Sequence, residues 1–211
     1  MEKLINEPKL DLACGNNKKE GFVGIDISNT DSADYVVNLQ KFPWPIESDS
    51  AEEIYCGHYI EHIPHTNVAT DLQKIVNESN SFEEFKEKVN KEEFLYPMDG
   101  LIKFFNEVYR ILKPDGKIKI VSPYYSSIRA YGDPTHTRSI CDWTFLYVDK
   151  EWRENNNLEH MGFECDFDAK ISYLISNELT LKSEEVRQQA FKHDINSIED
   201  IIMDLTKKPK K

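Results

Sequence analysis

The stretch LDLACGNNKKEGFVGIDI, Leu10 to Ile27, decides how this chain folds. Two short apolar runs, Lys9 to Cys14 and Phe22 to Ile27, flank a polar connection. Neither run alternates as a half-exposed strand does, so both are expected to be buried on two faces, as in a parallel sheet. In such a sheet, ligands bind beyond the carboxyl ends of the strands. Asp11-Leu12-Ala13-Cys14-Gly15 closes the first run with small residues that let a ligand approach the backbone. Gly24-Ile25-Asp26 closes the second with a carboxylate, which can accept both hydroxyl protons of a ribose.

Further along, Tyr35 to Leu39 and Glu53 to Cys56 read as two more strands of the same kind. Leu101 to Leu112 is a helix with Leu101, Phe104, Phe105, Val108, Ile111 and Leu112 on one face, stopped by Lys113-Pro114-Asp115-Gly116. Lys117 to Ser122 then alternates as a strand. The charged insert between Pro64 and Gly100 reads as one or two surface helices, either solvated decoration or a lid. Phe163 to Ile175 suits a strand or hairpin, Ser183 caps a helix through Lys192, and Asn196 to Leu205 fits helix or strand equally. One domain over residues 1–206 is expected, with a solvated basic tail at 207–211.

Acidic residues outnumber basic ones, 38 to 26, for a net charge of -12, which disfavours duplex nucleic acid as a partner. Four scattered cysteines, Cys14, Cys56, Cys141 and Cys165, form no C-x-x-C pair and suit a reducing cytoplasm. No apolar run approaches the roughly 20 residues that span a bilayer, so no membrane association is expected.

Three blocks, in order, resemble the class I, Rossmann-like S-adenosylmethionine-dependent methyltransferases, and within them the small type 11 group. Leu10 to Ile27 is similar to the first motif with its ribose-binding acid. FPWPIESDSAEEIYCGHYIEHI, Phe42 to Ile63, is similar to the fourth-strand block, and FNEVYRILKPDGKIKIVSP, Phe105 to Pro123, to the helix, turn and fifth strand. DPTHTR, Asp133 to Arg138, resembles a downstream loop of that group. The resemblance implies an α/β fold: a mostly parallel sheet with helices on both faces, a shortened first crossover and a helical insert.

It further implies S-adenosylmethionine as cofactor, with Ala13, Cys14 and Gly15 facing its methionine part and Asp11 orienting their loop. Asp26 would take the ribose hydroxyls, with Ile27 beside it. Asn38 would meet the adenine amino edge and Leu39 its plane. His58 and Tyr59 would lie near the transferring methyl, unless they merely pack. The chain departs from the family pattern in its glycines, where Ala13 replaces the first of the usual signature and Asn17 the last, in the short gap from Gly15 to Gly24, and at Asn38, where the family commonly has Asp.

The acceptor is expected to be a small molecule admitted near His58 and Asp133 to Arg138. His136, an imidazole able to accept a proton near neutral pH, is the candidate base; alternatively it braces its loop through Asp133. Tyr124, Tyr125, Arg129 and Tyr131 are candidate acceptor contacts, while Trp143 is expected in the core. His58-Tyr59-Ile60-Glu61-His62 matches the H-x-x-E-H zinc-protease string, but Pro64 truncates any helix there, so no metal site is expected. Ser122-Pro123-Tyr124-Tyr125 resembles a base-methylating motif placed after the wrong strand. A protein that binds the cofactor without turnover is the remaining alternative.

Overall fold

A computed structural model of the protein describes residues 4–65, 72, 75–90 and 98–209. Seven strands form one sheet: β1 (Lys9–Leu12), β2 (Val23–Asp26), β3 (Tyr35–Val36), β4 (Ala51–Gly57), β5 (Leu112–Pro123), β6 (Phe167–Ile175) and β7 (Ile198–Lys207). Their spatial order is β3-β2-β1-β4-β5-β7-β6, with β7 antiparallel to both neighbours and the other pairs parallel. The chain runs outward from β1 in one direction and returns at β4 to run outward in the other. The β1/β4 boundary is therefore the switch point at which a ligand crevice opens.

The mostly parallel sheet agrees with the sequence, and the crossovers are shorter than it implied. Residues 13–22, 27–34 and 37–50 join the first four strands without a helix. Backbone turns and side chains cover that half instead. Trp44 and Ile46, both buried, pack into the core cluster with Leu39, Leu10 and Ile54. The edge strand β3 departs from the expectation of two-sided burial, since Tyr35 and Val36 are exposed.

The helices lie beyond β4: α1 (Phe82–Val89), α2 (Gly100–Ile111), α3 (Arg129–Gly132), α4 (Lys150–Asn155), α5 (Asn177–Thr180) and α6 (Glu184–His193). Asp99 starts α2 by accepting the Leu101 N–H at 2.8 Å, as an N-cap should. The predicted apolar face is the buried one, with Phe104 and Phe105 sealed from solvent. Burial of each such aromatic contributes about 1.5–3 kcal/mol. Because α2 runs antiparallel to the strands, its start stands at their carboxyl ends, beside the crevice.

In the insert, α1 buries no side chain, and Phe82 stacks on Phe85 at the surface. The remaining insert residues, 66–71, 73, 74 and 91–97, lie outside the described residues. Ser183 caps α6 as expected, and the ambiguous segment after Asn196 is the strand β7. The solvated tail needs correction. Lys207 ends β7, is buried, and donates from Nζ to Asp49 and to the Leu112 carbonyl. Lys208 in turn pairs with Asp149 and Asp166. Trp143 is also corrected: it is 76% exposed, on the solvent side of a 3-10 segment that buries Phe145 and Val148 instead. Among the described residues, no helix is long and apolar enough to cross a membrane.

Candidate functional site

At the end of β1 the backbone turns through left-handed conformations at Ala13 (φ 57°) and Gly15 (φ 55°). Glycine adopts such angles freely, and alanine holds them at a cost of about 1 kcal/mol. Ala13 thus holds a turn geometry that glycine adopts freely. A Cβ at Gly15 would meet no atom within 4 Å, so the space beside it is open. Gly24 is the opposite case: a Cβ there would lie 2.4 Å from the Ser32 carbonyl and 2.8 Å from the Cys14 sulfur. This contact lets residues 28–34 fold down onto β2 without a helix between them.

Asp26 organises the crevice. Buried at the end of β2, it accepts the Gly15 N–H at 2.9 Å through Oδ2 and the Ser28 N–H at 2.8 Å through Oδ1. Each oxygen keeps a further lone pair for a ligand hydroxyl. Asp11, also buried, accepts the Lys19 N–H at 2.7 Å and so anchors the far side of the loop, while burial raises its pKa. Burial, reinforced by the charges of Asp11 and Asp26, pushes the Cys14 thiol up to about 11. Cys14 is therefore a packed thiol and no nucleophile at neutral pH. Ile27, 62% exposed, is an apolar face beside Asp26. Asn38 uses Oδ1 to accept the Gln40 N–H at 2.9 Å, and Leu39 is buried, its carbonyl accepting the Trp44 indole N–H at 3.0 Å.

After β4 comes His58, at φ 53°, a strained angle for a residue with a Cβ. Its Nδ1 stands 3.5 Å from Glu61 Oε1, and this contact raises the imidazole pKa against the opposing effect of burial. The Tyr59 hydroxyl is buried with no hydrogen-bond partner, and burial drives its pKa well above the ordinary phenol value. Ile60–His62 is a single 3-10 turn, so His58 and His62 share no helical face and the zinc-protease arrangement is not formed.

The acceptor residues expected from sequence divide. His136 lies beneath the loop after β5, its side chain 9% exposed, with Nδ1 at 3.0 Å from the Ala130 carbonyl. Asp133 is 4.0 Å from its Nε2, too far to brace it directly. Tyr124 is corrected from contact residue to framework: it is buried and donates to Asp142 at 2.7 Å, and the Tyr173 hydroxyl donates to the same carboxylate. Burial first, and then Asp142, raise the pKa of both phenols. Tyr125 is exposed over Tyr124. Arg129 turns to the buried Asp200, at 2.7 Å.

Glu61 and His62, which the sequence reading gave no role, take one with His136. Glu61 is 2% exposed, with Oε2 accepting the Ser122 hydroxyl at 3.0 Å and Oε1 making no hydrogen bond, only the 3.5 Å contact with His58. Glu61, His62 and His136 each bring one potential metal-ligand atom within 4.8 Å of the others, where no metal site was expected. The signal was the H-x-x-E-H string itself, whose third partner stands 74 positions downstream and is recognisable only in three dimensions. Alongside, a cavity of about 650 Å³ opens between the start of α2 and this loop, with Asp99, Ile102, Tyr131, His136 and Arg138 in its wall.

The solved structure of a SAM dependent methyltransferase from Archaeoglobus fulgidus is similar over 95% of this chain and 86% of that one, at 20% identity and a TM-score of 0.55. This chain has the class I methyltransferase fold. An S-adenosylmethionine dependent methyltransferase from Mesorhizobium loti is also similar, at 13% identity and a TM-score of 0.47, over 98% of this chain and 94% of that one. No protein-family model and no curated protein matches the chain. Within the methyltransferase fold, the ends of β1 and β2 are where the sequence puts the cofactor, and the end of β4 with the loop after β5 is where it puts the acceptor.

Proposed function

We propose that the protein transfers a methyl group from S-adenosylmethionine to a small-molecule acceptor. The observation that carries this reading is Asp26: a buried carboxylate at the carboxyl end of β2, beside β1, tied to Gly15, with open space beside that glycine. A nucleoside would sit there with its ribose hydroxyls donating to Asp26 and its base against Ile27. Gly15 leaves room for the amino-acid part to pass the loop, and the unpartnered Tyr59 hydroxyl is a polar group for the same space. S-adenosylmethionine would supply an electrophilic methyl on sulfonium.

The chain's own residues hold and orient. Asp11 and Asp26 fix the loop from either side through backbone N–H groups, so little ordering remains when a ligand binds. His58 is held at the end of β4 by its strained backbone and its contact with Glu61. The cavity beside His136 has the volume of a small-molecule site, with apolar walls from Ile102 and Phe105 and the polar groups of Asp99 and Arg138 at its edge. Methyl transfer is a direct displacement, so alignment of acceptor and donor supplies much of the acceleration. The four free cysteines suit action in a reducing compartment such as the cytoplasm.

Thermal-shift measurements with S-adenosylmethionine, S-adenosylhomocysteine, NAD and ATP test the reading. Stabilisation by the first two alone is expected, following mass action. Equal or greater stabilisation by NAD or ATP would overturn it.

A further inference from the structure

We propose that Glu61, His62 and His136 form a binding site for a divalent transition-metal ion at the carboxyl edge of β4. Three observations meet here. Glu61 is a buried carboxylate with one oxygen satisfied by Ser122 and the other without a hydrogen bond. Its nearest cation candidate, His58 Nδ1, stands off at 3.5 Å, long for a hydrogen bond. A buried carboxylate left half-satisfied is costly, and a bound cation removes that cost.

The two imidazoles are prepared in the way metal ligands are. Thr135 gives its single hydroxyl proton to Asp133 Oδ1, at 2.6 Å, so its oxygen can only accept from His62 Nδ1, at 2.9 Å. His136 Nδ1 faces the Ala130 carbonyl, an acceptor, at 3.0 Å. Both rings therefore carry the proton on Nδ1 and keep a lone pair on Nε2, with the opposite nitrogen oriented by an outer oxygen. The rings stand edge to face, centroids 4.6 Å apart. Ligand atoms gathered around one ion at about 2.1 Å stand roughly 3 to 3.5 Å apart, so drawing together atoms already within 4.8 Å asks for a shift of about an ångström or so.

Two imidazoles and one carboxylate select manganese, iron, cobalt or zinc over calcium and magnesium, which prefer all-oxygen sets. Three protein ligands leave open positions, the mark of a working site and not a structural one. His136 lines both the cluster and the 650 Å³ cavity, so an occupant of that cavity can reach the ion. Resting on the methyl-transfer reading, the acceptor class that follows is a hydroxyl compound. The ion lowers the pKa of the bound hydroxyl, whose proton leaves to solvent water. The freed oxygen pair forms the O–CH3 bond as the S–CH3 bond breaks, its electrons staying on sulfur to give the neutral thioether.

The test is calorimetric titration of chelator-stripped full-length protein with MnCl2 and with CoCl2, alongside a separate titration with S-adenosylhomocysteine. One ion per chain is expected, with the visible absorption of bound Co2+ changing at the same stoichiometry. Glu61→Gln and His136→Ala should each weaken binding by at least about 10-fold, whereas His160→Ala, outside the cluster, should not. Should Glu61→Gln unfold, His62→Ala and His136→Ala make the same comparison. Absent binding, or binding untouched by the cluster variants, overturns the proposal. S-adenosylhomocysteine binding without metal binding sinks the metal site alone; metal binding without S-adenosylhomocysteine binding sinks the methyl-transfer reading alone.

Discussion

Replacing Asp26 with alanine strikes both the architecture and the ligand. The carboxylate accepts the Gly15 and Ser28 N–H groups at 2.9 and 2.8 Å from a buried position, so the variant leaves two backbone donors without that acceptor. Ser28 is exposed and Gly15 half-buried, so water takes up much of the freed N–H groups and a stability loss of about 1–2 kcal/mol is expected. Ligand binding suffers separately. A hydrogen bond to a charged group is worth about 1.5–3 kcal/mol, which translates into roughly 10- to 150-fold weaker S-adenosylmethionine binding. The measurement is calorimetry on wild type and Asp26→Ala at a temperature where circular dichroism shows both folded, with urea melts giving the stability arm. Unchanged affinity in a folded variant would refute the reasoning, because the ribose would then be held elsewhere. Unchanged stability would refute the geometry, since Gly15 and Ser28 would not depend on this carboxylate.

Gly24→Ala should destabilise the protein by about 1–3 kcal/mol, because its Cβ would be driven against the Ser32 carbonyl at 2.4 Å; a urea midpoint equal to wild type would show that residues 28–34 do not pack there. With its pKa near 11, Cys14 is only about 0.1% thiolate at pH 8, so mass-spectrometric mapping should find it alkylated about 100-fold more slowly than an exposed cysteine of ordinary pKa. Rapid modification of Cys14 in the native protein would contradict its burial. Lys18 first, and then the Gly24 N–H, lower the pKa of Asp34, so its contribution to stability is present above the ordinary carboxylate value and is lost as pH falls through the lower folded one. Asp34→Asn should accordingly flatten the acid limb of a stability–pH profile measured between about pH 5 and 2.5, and an unchanged limb would show that the pair contributes nothing.

Much of the cofactor side was legible in the sequence because it is local. β1, its turn and β2 lie within 18 residues, and small residues followed by an acid at a strand end have few other uses. α2 was legible for a related reason: its apolar face repeats at helical spacing, while its cap at Asp99 emerged only from the structure. Other features hid because their partners are remote. Tyr124 looked like a pocket residue until Asp142 and Tyr173 closed around it. Lys207 looked like frayed tail until β7 carried it to Asp49, 158 positions away. Trp143 looked like core by residue type alone, yet the fold gives it no partner face and leaves it exposed.

By itself, then, the sequence determined where the parallel strands lie, though not their bounds, along with the acid at Asp26, the amphipathic helix α2 and the mostly parallel class of the sheet, all of which follow from side-chain period and short-range turn chemistry. Only the tertiary structure decided that the first crossovers carry no helix, that Asn196 to Leu205 is a strand, and that Glu61 and His62 meet His136. Those outcomes depend on which surfaces close on one another, and burial, which sets the cost of a bare carboxylate or an unmet amide, belongs to the whole packed chain and to no segment of it.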